Sequence, residues 1–144
     1  MSSTSHGRFP HAGRDPILCL DHALAIFDVQ LHRPLRAETL AMFLDHHHHG
    51  STLVTVTDTV LAKQLLEVAE VMALAGSARP EMSGLVLASV RPGHGLQSGD
   101  DELWTRASNV TEANGMILID WFVISPHGTC SPRELIGLPS RWPQ

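Results

Sequence analysis

Gly84–Glu102 reads GLVLASVRPGHGLQSGDDE, an almost unbroken apolar run that opens into a polar, glycine-rich loop. A strand with one wet face alternates polar and apolar residues. Gly84–Val90 does not alternate, so it belongs in a sheet covered on both faces. MILIDWFVIS, Met116–Ser125, is a second run of the same kind, separated from the first by a helical pattern. Two such strands joined through a helix make a crossover, which places the chain in the α/β class. The loop at Ser89–Glu102 leaves the end of a central strand, where α/β proteins usually keep their chemistry.

Working outward, Ser98 and Asp101 form a capping box ahead of Leu103, Trp104, Ala107 and Val110, and Asn114-Gly115 closes a helix expected at about 101–114. Upstream, Asp58 or Thr59 caps a helix at about 60–75 with Leu61, Leu65, Val68 and Met72 on one face, ending near Gly76. Before it, Leu40, Met42 and Leu44 alternate with Thr39, Ala41 and Phe43, and STLVTVT at Ser51–Thr57 is β-branched. With DHHHHG (Asp45–Gly50) between them, these segments make a hairpin of strands at about 38–45 and 51–57. Asp15-Pro16 opens a first helix at about 16–31, carrying Ile17, Leu20, Leu24, Phe27 and Leu31, which Arg33-Pro34 stops. The strands at about 84–91 and 116–125 complete the order α-β-β-α-β-α-β, followed by a tail after Pro126-His127-Gly128. The expected architecture is an α/β sandwich with a mixed sheet and helices on its faces.

The chain of 144 residues suits one domain at 15–144, and the Ser/Gly/Pro/His-rich MSSTSHGRFPHAGR at its start is expected to be a disordered lead over 1–14. Charged residues are 17% and the formal charge is −5, with no Lys/Arg stripe, so direct nucleic-acid contact is not expected. Cys19 and Cys130 stand far apart without metal-ligand spacing. No apolar run approaches membrane-spanning length and no signal peptide is legible, so no membrane contact is expected and a reducing cytoplasm is the expected compartment. There the thiols serve as small hydrophobes.

Three strings carry a family resemblance: ETLAMFLDHHHHGSTLVTVTDT (Glu38–Thr59), the loop at Ser89–Glu102, and LIDWFVIS with SPRELIG inside Leu118–Gly137. Together they resemble the RadC-like branch of the JAB/MPN metalloprotease domains, over about 34–137. The resemblance implies a JAB/MPN-like (cytidine-deaminase-like) α-β-α sandwich. In active members the loop reads His-x-His-Pro, then Ser and Asp; the two histidines and the Asp hold zinc, and a Glu on an early strand activates the bound water. Such a site needs neutral imidazoles, a carboxylate and one open coordination position. Carried over residue by residue, Glu38 falls at the water-activating position, Ser89 and Arg91 at the two histidines, Pro92 at the proline, Gly99 at the serine and Glu102 at the metal-binding Asp. Two of three ligands are replaced, one by a guanidinium that neither deprotonates nor ligates. The expectation is a degenerate site without a cofactor, in which Arg91 pairs with Glu38 or Glu102 in place of zinc. The function this implies is a non-catalytic scaffold for a protein partner or a homodimer. Two alternatives stay open: a zinc metallopeptidase or isopeptidase with rearranged ligands Glu38, His94 and Glu102, and a DNA-repair role taken from the family's label.

Other residues invite sharper assignments. His46, His47, His48 and His49 could bind zinc or nickel opportunistically, but strand alternation sends neighbouring side chains to opposite faces, so the run is expected to be a solvated turn. Asp120 interrupts an apolar strand and is expected to cap a neighbour or sit in a polar layer. Trp104, Trp121 and Trp142 are expected to pack in the core and at edges. Ser131–Glu134, SPRE, reads as a turn into a short helix whose Arg133 can pair with an acid.

Overall fold

The computed structural model describes residues 16–143, so the lead expected at 1–14 lies outside the described residues. Its elements, in chain order, are α1 (Leu20–Gln30), β1 (Glu38–Asp45), β2 (Gly50–Thr57), α2 (Gln64–Ser77), β3 (Met82–Val90), α3 (Asp100–Ala113), β4 (Ile117–Ser125), β5 (Gly128–Cys130) and α4 (Pro132–Leu135). The strands form one mixed sheet in the order β2-β1-β3-β4-β5. β3 and β4 are its parallel pair, joined through α3, and the other pairings are antiparallel. The chain is therefore α/β with a mixed sheet.

The apolar runs at β3 and β4 are explained by a core on each side of the sheet. On one face Ala41, Phe43, Leu85, Leu87, Trp121 and Val123 pack against Leu65, Val68 and Ala73 of α2 and Leu103, Trp104 and Ala107 of α3. On the other, Leu40, Met42, Val86, Ala88, Phe122 and Ile124 pack against Ala23 and Phe27 of α1, with Ile17 and Trp142. Phe27 meets Phe122 edge-on at 6.5 Å between centroids, an arrangement that adds about 0.5–1.5 kcal/mol beyond area burial.

Several boundaries differ from the sequence expectation. Pro16 does not open a helix: it bridges His49, Ile17 donates its N–H to His48 O at 2.6 Å, and α1 begins at Leu20. α2 starts at Gln64 because residues 58–60 are irregular and 61–63 form a turn, with Asp58 at φ 60° and Gln64 Oε1 accepting from Leu61 N at 2.8 Å. Leu61 is consequently exposed. Ser98 does not cap α3; Gly99 does, at φ 95°, a conformation in which a serine would be strained. The expected stop at Gly115 stands, with φ 90° after the Asn114 cap. β5 has no signature in the sequence, whereas α4 follows the SPRE turn, with Ser131 Oγ accepting from Glu134 N.

The expected end of α2 near Gly76 stands, the helix closing at Ser77. Gly76 lies in the last turn of α2, where a Cβ would run into Met116 Sδ and come within 2.9 Å of Phe43 Cε1. Gly→Ala within a helix ordinarily gains up to about 1 kcal/mol. Here we expect the sign to invert. Gly76→Ala should lower stability by about 1–3 kcal/mol through overpacking, measured by urea denaturation, and Gly76→Ala with Met116→Ala should recover part of the loss. A stabilised single variant would show that α2 sits farther from the sheet.

Candidate functional site

β3 ends at Val90, and Arg91 continues its line while the chain turns away, Arg91 N donating to Ile124 O at 2.8 Å. By strand alternation Ser89 and Arg91 project on the same face as Leu85 and Leu87, toward α2 and α3. Ser89 Oγ accepts from Trp121 Nε1 at 2.9 Å, and the Arg91 guanidinium carbon lies 5.8 Å from the Trp121 ring centroid. Beside them a groove of about 230 Å³ is lined by Thr39, Thr59, Leu61, Leu65, Ser89 and Arg91, among others. Thr39 Oγ1 donates to Thr59 Oγ1 at 2.9 Å across it.

Arg91 pairs with an acid, but with Asp100 rather than Glu38 or Glu102. Its Nη1 and Nη2 reach Asp100 Oδ2 and Oδ1 at 2.8 and 2.9 Å, a bidentate contact with both side chains buried. Nη1 also donates to Gly95 O at 3.1 Å, and Asp100 Oδ2 accepts from Gln97 N at 2.6 Å. One ion pair thus holds both ends of the 91–100 loop. Nearby, burial pushes the Cys130 thiol up from its ordinary value, the Asp100 charge adding to the rise and Arg91 opposing it. A thiol held protonated is neither a nucleophile nor a ready metal ligand.

The position expected for Glu38 is overturned by pleat. Glu38 is in register with Val90 and shares the face of Leu40 and Met42, toward α1. Ser89 and Arg91 face the other way. Glu38 is buried, and both its oxygens meet His32 Nδ1, at 3.0 and 3.1 Å. Glu102 is exposed on α3 beside a shallow depression that Lys63 and Arg106 also line. His94 is exposed and contacts the Gln97 side chain. Glu38, His94 and Glu102 therefore do not converge, and the rearranged ligand set has no common site.

The histidine run forms the turn between β1 and β2. Asp45 Oδ1 accepts from His47 N and His49 N at 2.8 and 2.9 Å, and His48 takes φ 63°. Burial would raise the Asp45 carboxyl, but these backbone donors and the adjacent imidazoles outweigh it and hold the group below its ordinary value. His46 contacts Pro80 O through Nε2, and His46 and His47 are exposed. Among the described residues no group of three or more His, Cys, Asp or Glu is disposed to hold a metal ion.

The donor set does not fit zinc. A hydroxyl engaged by an indole N–H and a guanidinium engaged by a carboxylate stand at the positions where the resemblance has histidines. Only Asp100 retains ligand chemistry, and it is committed to Arg91.

A second polar centre lies under α4. Asp120 is fully buried, and five donors converge on it: Ser131 Oγ at 2.8 Å, Trp121 N at 2.9 Å, Trp142 Nε1 at 3.0 Å, and Arg133 through Nη2 at 3.1 Å and Nε at 3.3 Å. Arg133 Nη1 also donates to Leu138 O at 3.0 Å. Asp120 faces this way because β4 carries an irregularity. Leu85 pairs with Leu118 and Val86 with Asp120, leaving Ile119 as the extra residue. The SPRE string signalled Arg133 and Ser131. For Asp100 the sequence offered three adjacent acids and no means of telling which is buried.

No protein-family model matches the chain, and no curated protein matches it. Among the described residues, no helix is long and apolar enough to cross a membrane.

Proposed function

We propose that the chain is a RadC-like JAB/MPN-type domain whose metal loop has been rebuilt around an ion pair, and that it works as a non-catalytic scaffold for a protein partner. The observation that carries this reading is the bidentate Arg91–Asp100 contact, with Gly95 O and Gln97 N drawn into it. A cation side chain neutralises the one buried carboxylate of the loop and holds the loop in shape. The order of elements, the mixed sheet with its β3-α3-β4 crossover, and the position of the loop at the end of β3 are all compatible with that family.

Metal analysis tests the reading. With His46–His49 replaced by serine to remove the opportunistic ligands, the purified chain should carry no stoichiometric zinc. Adding Ser89→His and Arg91→His should create micromolar or tighter zinc binding, accompanied by a rise in Tm, because two imidazoles then join Asp100. Asp100→Ala should abolish that binding and Glu102→Ala should leave it intact. One tight zinc per chain before the histidines are added would sink the scaffold reading.

A further inference from the structure

Beyond the loop, a groove of about 300 Å³ runs between the segment Leu96–Asp101 and α4. Its apolar lining is Leu96, Leu135 and Ile136, which stand 44%, 60% and 42% exposed. Large aliphatic side chains gathered this openly on two adjacent walls mark an interaction surface more often than isolated ones do. Asp101 sits on the lining, and Glu134 is exposed next to a lining position in sequence. No Lys, Arg or His lines the groove. The guanidiniums that brace its two walls are committed inward, Arg91 to Asp100 and Arg133 to Asp120, while Lys63 and Arg106 line the adjoining depression on the Glu102 side.

Those two ion pairs also brace the walls. On one side Arg91 holds Gly95 O and Asp100 holds Gln97 N, the residues flanking Leu96. On the other, Arg133 anchors to Asp120 and to Leu138 O, bracketing Leu135 and Ile136. The exposed aliphatic side chains are thus presented on fixed backbone, so less ordering cost falls on an incoming partner.

We infer that this groove docks an amphipathic segment of a protein partner that carries aliphatic residues together with Lys or Arg. The inference rests on the scaffold reading and supplies the chemistry of the partner. The apolar lining asks for Leu or Ile on one stripe, and the exposed carboxylates of Asp101 and Glu134 ask for positive charge beside it.

The test selects a random dodecapeptide library displayed on phage against the full chain, then measures synthetic copies of the enriched peptides by fluorescence anisotropy at low salt. Enriched peptides should combine Leu or Ile with Lys or Arg. Leu135→Glu should raise their Kd about tenfold or more, as truncating an apolar anchor does, and Asp101→Lys about threefold, as for an exposed charge pair. Leu96→Ser, on the opposite wall, is the second variant and should also weaken binding. Retained circular dichroism and Tm identify variants that fold. Lack of enrichment, enrichment of acidic peptides, or unchanged binding by both wall variants would overturn the inference. So would a wild-type dimer in sedimentation that Leu135→Glu dissolves, since the occupant would then be a second copy of this chain. The zinc experiment reads the Ser89–Arg91–Asp100 corner instead, so either result can fail without the other.

Discussion

Arg133→Met should destabilise the chain by about 3 kcal/mol, the lower end of what breaking a fully buried ion pair costs. The substitution keeps the aliphatic stem and deletes the charge. Asp120 would then lie fully buried with three neutral donors, Ser131 Oγ, Trp121 N and Trp142 Nε1, and no counter-ion. Those donors keep the cost from the top of the range, because they still satisfy the carboxylate's lone pairs. Arg133→Met also frees Leu138 O, so amide exchange after α4 should accelerate. Asp120→Leu alone should cost a similar amount by stranding the guanidinium. The double variant should be less destabilised than the sum, because an apolar pair removes both desolvation penalties. Urea midpoints at constant m value read this directly. Single-variant losses of about 1 kcal/mol or less, the surface-pair range, would show that water reaches Asp120.

Arg91→Met and Asp100→Asn should each cost about 2–3 kcal/mol, between the surface and fully buried limits, since both side chains are largely but not wholly covered. A double-mutant cycle between them should show clear coupling, the double variant losing less than the two singles together. Glu38→Gln and Glu102→Gln are the controls: each should be additive with Arg91→Met, because one lies across the sheet and the other points to solvent. Loss of the pair also releases Gly95 and Gln97, so limited proteolysis within 93–98 should quicken for both single variants. Additivity of Arg91→Met with Asp100→Asn would mean that the loop is held by something other than this pair, and the scaffold reading would lose its main support.

How far the sequence reaches differs between the elements and the site. The crossover β3-α3-β4 was legible because two unbroken apolar runs need cover on both faces, and both are buried against helices on each side. The hairpin was legible from alternation and its polar turn. The starts of α1 and α2 were not. Pro16 and Asp58–Lys63 have the composition of helix openings, but Pro16 is drawn to His49 and Asp58 takes a positive φ that ends β2 with a turn. At the site, the resemblance led to the expectation that Arg91 pairs with a carboxylate, which it does. The resemblance nominated the wrong one, because counting along a motif cannot weigh three consecutive acids at a helix start.

The sequence by itself determined the α/β class and the order of the first seven elements, since these follow from residue type and period alone. Only the tertiary structure decided which side chains meet. The pleat of β1 against β3 turned Glu38 away from Arg91 toward His32. The left-handed turn at Gly99 delivered Asp100 to Arg91 while leaving Glu102 on the surface. One extra residue in β4, Ile119, aimed Asp120 at Arg133 and Trp142. The physical reason is common to all three. A strand has period two, so a shift of one residue reverses the face a side chain takes, and such shifts are set by pairing with distant segments.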